Sequence, residues 1–355
     1  MPFTRKFRPI WLFLPAFALS LGYLYLLKVH VEAVTYFRET PASWNKLKSS
    51  QCLRWRKKFI FGDLRPQSKD PFQPLEDSCQ EALKYPAQSY FASNQRGQKI
   101  HFLRYPTAKK EAKAPILLFV HGIAANAVTG LKFYPIAQRL GFELIIMELS
   151  NHGQSDDNGQ GASYGCREAE DLLAVLRVLQ QQDPRRPVLI YGTSMGAMTV
   201  ANAAPALQAF RSQVRGVVLE NPQSSLRDIV GVYAQKMGIP DFHTDLVVRL
   251  TGLRVGVDYA ACAPAKRVQQ LTIPALVMVS EKDYMVPVWM VEKVFRQIPT
   301  QTPRRYKRYP YGEHSAIWNG QPEVFEKDLQ AFWLASLMDR PKLESSSTFQ
   351  SSPTQ

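Results

Sequence analysis

The sequence is poor in the signatures that announce most metal and cofactor chemistries. Its four cysteines, Cys52, Cys79, Cys166 and Cys262, are widely spaced and none forms C-x-x-C, which leaves no thioredoxin-type or zinc-ligating pattern. Two disulfides in an oxidising compartment and four separate thiols both fit that spacing. There is no G-x-x-x-x-G-K-[ST] loop and no H-E-x-x-H. Gly159, Gly161 and Gly165 miss the G-x-G-x-x-G spacing of a dinucleotide site. No metal or organic cofactor is therefore expected. Acidic residues are outnumbered, 30 against 44 Lys and Arg, for a formal charge of +14. Such an excess can serve nucleic acid, an anionic membrane surface or solubility. The basic residues are scattered apart from 54–58 and 304–308, with no zinc-finger spacing, RNP-like motif or heptad array, so nucleic acid is not an expected partner. Internal repeats and N-x-S/T sequons are also missing.

What is present begins with a long apolar run. Residues 9–27 carry no charge and are rich in Leu, Phe, Trp and Tyr, and a run of this length can cross a bilayer core. Arg5, Lys6 and Arg8 precede it; Lys28 and Arg38 follow. That bias favours a cytoplasmic N-terminus and a single-pass anchor with the large domain on the non-cytoplasmic side. A cleaved signal is the rival, but Ala16-Phe17-Ala18 sits mid-run and would leave a short apolar core. A buried soluble helix suits a segment apolar on every face poorly. The chain thus divides into a basic N-terminus (1–8), a transmembrane anchor (9–27) and a juxtamembrane basic stalk (28–84). A globular domain (85–340) and a Ser/Thr/Gln-rich disordered tail (341–355) follow. Lys46, Lys48, Arg54, Arg56, Lys57 and Lys58 of the stalk could lie on anionic membrane lipid, or serve as a solvated linker.

Within the globular domain, strand and helix patterns alternate. Residues 90–93 and 99–105 flank Asn94-Gln95-Arg96-Gly97 as a hairpin. Short apolar runs at 114–120, 142–147, 187–191, 216–220 and 273–280 read as buried strands, and 305–309 as a last one. Helical patterns occupy 130–140, 167–182, 197–209, 287–297 and 322–337. This alternation specifies an α/β domain with a mostly parallel, doubly wound sheet. It lapses between about 222 and 271. There Ile229, Val230, Val232, Tyr233, Met237, Leu246, Val247, Val248, Leu250 and Leu253 fall at helical spacing, which fits a small helical cap. Those residues either pack the cap alone or line a hydrophobic pocket.

The chemistry concentrates at Gly192-Thr193-Ser194-Met195-Gly196, a G-x-S-x-G between a buried strand and an Ala-rich helix. A serine at so sharp a turn needs neighbours without side chains, and the two glycines provide them. Its hydroxyl would project above the sheet edge at a helix N-terminus, where N–H groups favour a developing oxyanion. A serine nucleophile needs a base and an orienting acid. Of six histidines, His314 stands in the loop after the last strand, whereas His30, His101, His121, His152 and His243 occupy less suitable positions. Asp283, in the turn after the penultimate strand, is the expected acid. Glu220 is its main competitor and Glu281 a lesser one.

The order Ser194, Asp283, His314, together with the His121-Gly122 turn, resembles the α/β-hydrolase superfamily over roughly residues 85–340. Within it the chain looks most like membrane-anchored serine hydrolases and the serine-aminopeptidase-like group. The resemblance implies an oxyanion hole from the backbone N–H groups of Met195 and Ile123. The family's D-x-R-G-H-G-x-S loop stands here as Glu148-Leu-Ser-Asn-His-Gly-Gln-Ser155: Ser150 replaces the arginine and Asn151 the first glycine. Asparagine tolerates the left-handed conformation that glycine would supply. The implied function is a serine hydrolase acting on a carboxylic ester, thioester or amide, with a small-molecule or lipid-like acyl substrate at a membrane. An acyltransferase using the same residues, or a non-catalytic membrane-tethered binding protein on this scaffold, is the alternative.

Overall fold

The computed structural model describes residues 14–35, 82, 84–85, 87–107, 113–123 and 125–338. Residues 1–8, most of the stalk with Cys52 and Cys79, and the tail lie outside them. In chain order come α1 (Leu14–Thr35), β1 (Gln88–Ser93), β2 (Lys99–Tyr105), β3 (Ile116–Val120), α2 (Tyr134–Leu140), β4 (Glu143–Met147) and α3 (Glu168–Gln182). They are followed by β5 (Val188–Thr193), α4 (Met195–Leu207), β6 (Val214–Glu220), α5 (Leu226–Lys236) and α6 (Asp241–Val255). The last are β7 (Ala275–Ser280), α7 (Val288–Gln297), β8 (Arg304–Tyr309) and α8 (Pro322–Met338).

The strands form one sheet in the order β1-β2-β4-β3-β5-β6-β7-β8. β1 and β2 are antiparallel, and from β4 to β8 every pairing is parallel. β3, β4 and β5 are buried at every position, as strands covered by helices on both faces must be. Alternate side chains feed two cores. Ile116, Leu118 and Val120 of β3 share one core with Leu172 and Leu176 of α3, Val200 of α4 and Met290 of α7. Leu117 and Phe119 join Phe133, Ile136 of α2 and Phe325, Phe332 and Trp333 of α8 on the opposite face. After β3 the chain adds β4 on one side and β5 on the other. The C-terminal ends of β3 and β5 therefore flank a topological switch point, where open α/β sheets form their crevices.

The expected helix over 130–140 is divided. A tighter turn, Ala127–Phe133, starts where the Asn126 side chain accepts from Val128 N–H, and α2 begins only at Tyr134 with Pro135 in its first turn. The lapse in alternation contains α5 and α6, stacked over the sheet edge. The N-terminal expectation changes more. Residues 9–13 of the expected anchor lie outside the described residues; the described helix takes in 14–27 and runs on to Thr35, where Lys28, His30 and Glu32 break its apolar run. Among the described residues no helix is long and apolar enough to cross a membrane. Instead Leu27 and Val31 of α1 are buried against Val247 of α6, so α1 packs side-on against the cap.

Candidate active site

Ser194 directly follows β5 with φ 53° and ψ −120°, a strained turn held by its neighbours. A Cβ on Gly192 would sit 2.5 Å from the Gly196 carbonyl oxygen, and one on Gly196 only 2.1 Å from the Val120 carbonyl oxygen. The two glycines thus let the elbow nest against the ends of β3 and β5. The Ser194 N–H donates to the Glu220 carbonyl at 2.9 Å, which ties the turn to β6.

His314 lies in the loop after β8. Its Nε2 is 2.7 Å from Ser194 Oγ, and its Nδ1 is 2.7 Å from Asp283 Oδ2. The loop is anchored from below. Ser280 Oγ donates to the carbonyls of Tyr311 and Gly312, and the buried Lys132 ammonium donates to the Ser315 carbonyl at 3.3 Å. Asp283 spends its second oxygen on the turn after β7: Oδ1 accepts from the N–H groups of Met285 and Val286, each at 2.8 Å, and the Asn221 amide donates to Oδ2. Burial alone would raise the Asp283 carboxyl, but the facing His314 charge, its hydrogen bond and those N–H donors hold it below the usual carboxylate value. Burial likewise opposes the charged form of His314, yet the Asp283 carboxylate outweighs it and raises the imidazole above 6.5. Glu220 is not the partner of His314; its Oε2 accepts from the Tyr191 hydroxyl at 2.7 Å inside the sheet.

Met195 opens α4, directly after Ser194. Ile123 follows the His121-Gly122 turn, which runs so close to Ser194 that a Cβ on Gly122 would lie 3.2 Å from Ser194 Cβ. His121 fixes this turn. Its Nε2 accepts the Leu149 N–H at 3.0 Å, so the proton sits on Nδ1 and is donated to the Gly122 carbonyl at 2.6 Å. Burial, then the charge of His152, push His121 down to about 3, which keeps it neutral. Because a peptide is planar, a Gly122 carbonyl held toward His121 turns the Ile123 N–H the opposite way. Asn151 takes φ 64° in the Glu148–Ser155 loop, as its replacement of glycine requires.

The residues not anticipated from sequence are Asn221, which carries Asp283, Lys132, and Gln223, whose Nε2 approaches Ser194 Oγ at 3.4 Å. Only the placement of Asn221 and Gln223 just beyond the C-terminal end of β6 hinted at them. Among the described residues, no group of three or more His, Cys, Asp or Glu is arranged to hold a metal ion. A cavity of about 420 Å³ opens beside Ser194, lined mainly by Ile123, Leu226, Ile229, Val230 and Met285. Of the apolar cap residues, Ile229, Val230, Tyr233, Met237 and Val247 face this cavity, while Leu253 is exposed. Cys166 and Cys262 are joined by a disulfide that ties the segment before α3 to the one after α6.

Comparison with known proteins agrees with this architecture. Residues 115–244 match the model of the alpha/beta hydrolase fold family. The chain is 23% identical over 222 residues to the uncharacterized protein YqkD of Bacillus subtilis, covering 61% of this chain and 70% of that one. It is 21% identical over 193 residues to the lysophosphatidylserine lipase ABHD12 of Danio rerio, covering 52% of this chain and 47% of that protein, about half its length. Among solved structures, the Pyrococcus furiosus esterase Pf2001 superposes with a TM-score of 0.56 at 14% identity, over 73% of this chain and 93% of that one. Est1E of Butyrivibrio proteoclasticus, with ferulic acid bound, gives 0.53 at 13% identity, over 70% and 100%. The fold is that of the α/β hydrolases.

Proposed function

We propose that this α/β-hydrolase-fold chain is a serine hydrolase that cleaves carboxylic esters of apolar acyl groups, lipid-like esters foremost. The observation that carries this reading is the unbroken hydrogen-bonded chain Asp283–His314–Ser194, opening directly onto an apolar cavity. With its proton on Nδ1 and bonded to Asp283, neutral His314 offers Nε2 as a base. Ser194 Oγ attacks the ester carbonyl carbon while its proton passes to Nε2, and the carbonyl electron pair moves to oxygen. The N–H groups of Met195 and Ile123 hold that oxyanion. Collapse breaks the bond to the alcohol, which leaves with the proton from Nε2. Water then gives a proton to Nε2 and attacks the acyl carbon. The second collapse returns that proton to Ser194 and frees the acid. Thioesters and amides are open to the same sequence.

The name of the Danio rerio relative, a lysophosphatidylserine lipase, accords with a lipid ester as substrate. Exposed apolar side chains on α1 (Leu21, Leu24, Tyr25) and α6 (Phe242, Leu253) support contact with membrane lipid. The Cys166–Cys262 disulfide favours an oxidising compartment, in keeping with a domain on the non-cytoplasmic side.

The test is covalent labelling with a fluorophosphonate alongside p-nitrophenyl ester hydrolysis, on the wild type and Ser194→Ala. The variant is expected to stay folded, to take no label, and to lose about 10⁴-fold or more in rate. Labelling that persists in the variant at another serine would overturn the assignment.

A further inference from the structure

The cavity beside Ser194 is not bounded by the hydrolase domain alone. His30, Ala33 and Val34 of α1 line it, opposite Ile229, Val230 and Met237 of the cap. These α1 residues lie well before β1, in a segment outside the residues that match the fold family.

Several contacts hold α1 in that position. The Tyr164 hydroxyl, ahead of α3, donates to the Val34 carbonyl at 2.7 Å. His30 Nδ1 and His243 Nε2 share a hydrogen bond of 2.8 Å, and the Tyr23 hydroxyl bonds the other nitrogen of His243 at 3.1 Å. Leu27 and Val31 bury themselves on Val247. Resting on the catalytic reading above, we infer that α1 is the outer wall of the acyl-chain site and sets the length of chain the enzyme accepts.

The polarity of the cavity says what it takes. Tyr164 is committed to Val34, Tyr233 to the Met285 carbonyl, and His30 and His243 to each other. Of the remaining polar groups, the Thr244 hydroxyl and Gln223 Oε1 are without partners, and Gln223 stands at the reacting end near Ser194. Nearly all the rest is hydrocarbon, which suits an unsubstituted acyl chain running from Ser194 toward His30 and His243. A dry cavity of about 150 Å³ holds one benzene, so about 420 Å³, nearly three times that, has room for roughly sixteen carbon atoms.

The experiment measures kcat/KM of the full chain on p-nitrophenyl esters from butyrate to hexadecanoate. Up to the capacity of the cavity, each added methylene is expected to raise kcat/KM by up to about fourfold. Ala33→Trp puts bulk into the wall from the α1 side and is expected to lower the dodecanoate-to-butyrate ratio at least tenfold. Ala33→Leu, a smaller intrusion that folding tolerates more readily, is expected to lower it less but in the same direction. A ratio unchanged in both folded variants overturns the role of α1. So does a wild type whose preference follows the alcohol chain, with dodecyl acetate favoured over the dodecanoate ester. A chain in which Ser194→Ala changes nothing would instead sink the catalytic reading, and butyrate hydrolysis separates the two failures.

Discussion

Replacing Asp283 by asparagine keeps the shape of the side chain and removes its charge, and the hydrogen bonds around it dictate the result. Oδ1 accepts from two backbone N–H groups, Met285 and Val286, so the asparagine oxygen is driven to that side. Its NH₂ then faces His314 Nδ1 and the Asn221 amide, both of which donate to Asp283 in the native site. His314 can meet an NH₂ only by accepting at Nδ1, which moves its proton to Nε2 and leaves no base toward Ser194. In a serine–histidine–aspartate arrangement the wrong tautomer costs about 10⁴ in kcat, or about 5 kcal/mol. The fold loses charge-assisted bonds worth about 1–3 kcal/mol and is expected to persist. The competing carboxylate provides the contrast. A glutamine at Glu220 can still accept from the Tyr191 hydroxyl, so Glu220→Gln is expected to keep activity within about tenfold. Ester hydrolysis with a circular-dichroism check on folding makes the comparison. Asp283→Asn within tenfold of wild type, or Glu220→Gln the worse of the two, would refute this account.

Two further outcomes follow from the same geometry. His314 must be neutral to accept the Ser194 proton, and Asp283 raises its pKa above 6.5. The acid limb of kcat/KM should therefore fall above pH 6.5, with activity rising as pH rises through the limb. The stability that His314 draws from Asp283 runs the other way, complete below 6.5 and lost as pH rises through the folded-state value. A limb at or below 6.5 would mean that burial outweighs the Asp283 carboxylate at the imidazole. Gly196→Ala should cost about 3 kcal/mol and most of the activity, because the new methyl meets two rigid backbone carbonyls, Val120 and His121, with no side chain able to yield. Thermal unfolding and fluorophosphonate labelling read both effects, and native values in both would show that the elbow is looser than its contacts imply.

The sheet was legible because its strands are short apolar runs between turn residues. The elbow was legible because so tight a turn needs Gly192 and Gly196 around Ser194. His314 and Asp283 were found by their position after late strands, a rule about topology rather than composition. What escaped was whatever depends on long-range approach. Asn221 carries Asp283 across 62 positions of chain, and Lys132 reaches the His314 loop from 183 away. Nothing local distinguishes them from ordinary turn and helix residues. What receives the apolar N-terminal run was likewise not legible. Hydrophobicity marks residues that leave water, but not whether lipid or the domain's own cap receives them; here Leu27 and Val31 are received by Val247.

The elbow conformation has a consequence for how such a chain evolves. Backbone like that of Ser194 costs about 1–3 kcal/mol for any residue with a Cβ, and glycine alone would relieve it. Under the proposed function, the one position where reaction demands a side chain is thus a position where folding prefers none. Selection for that turnover would hold the domain below the stability its sequence could reach. In a lineage released from that selection, drift at residue 194 toward glycine would go unopposed by folding. The descendant would be a firmer protein, with its cavity intact and nothing left to cut with.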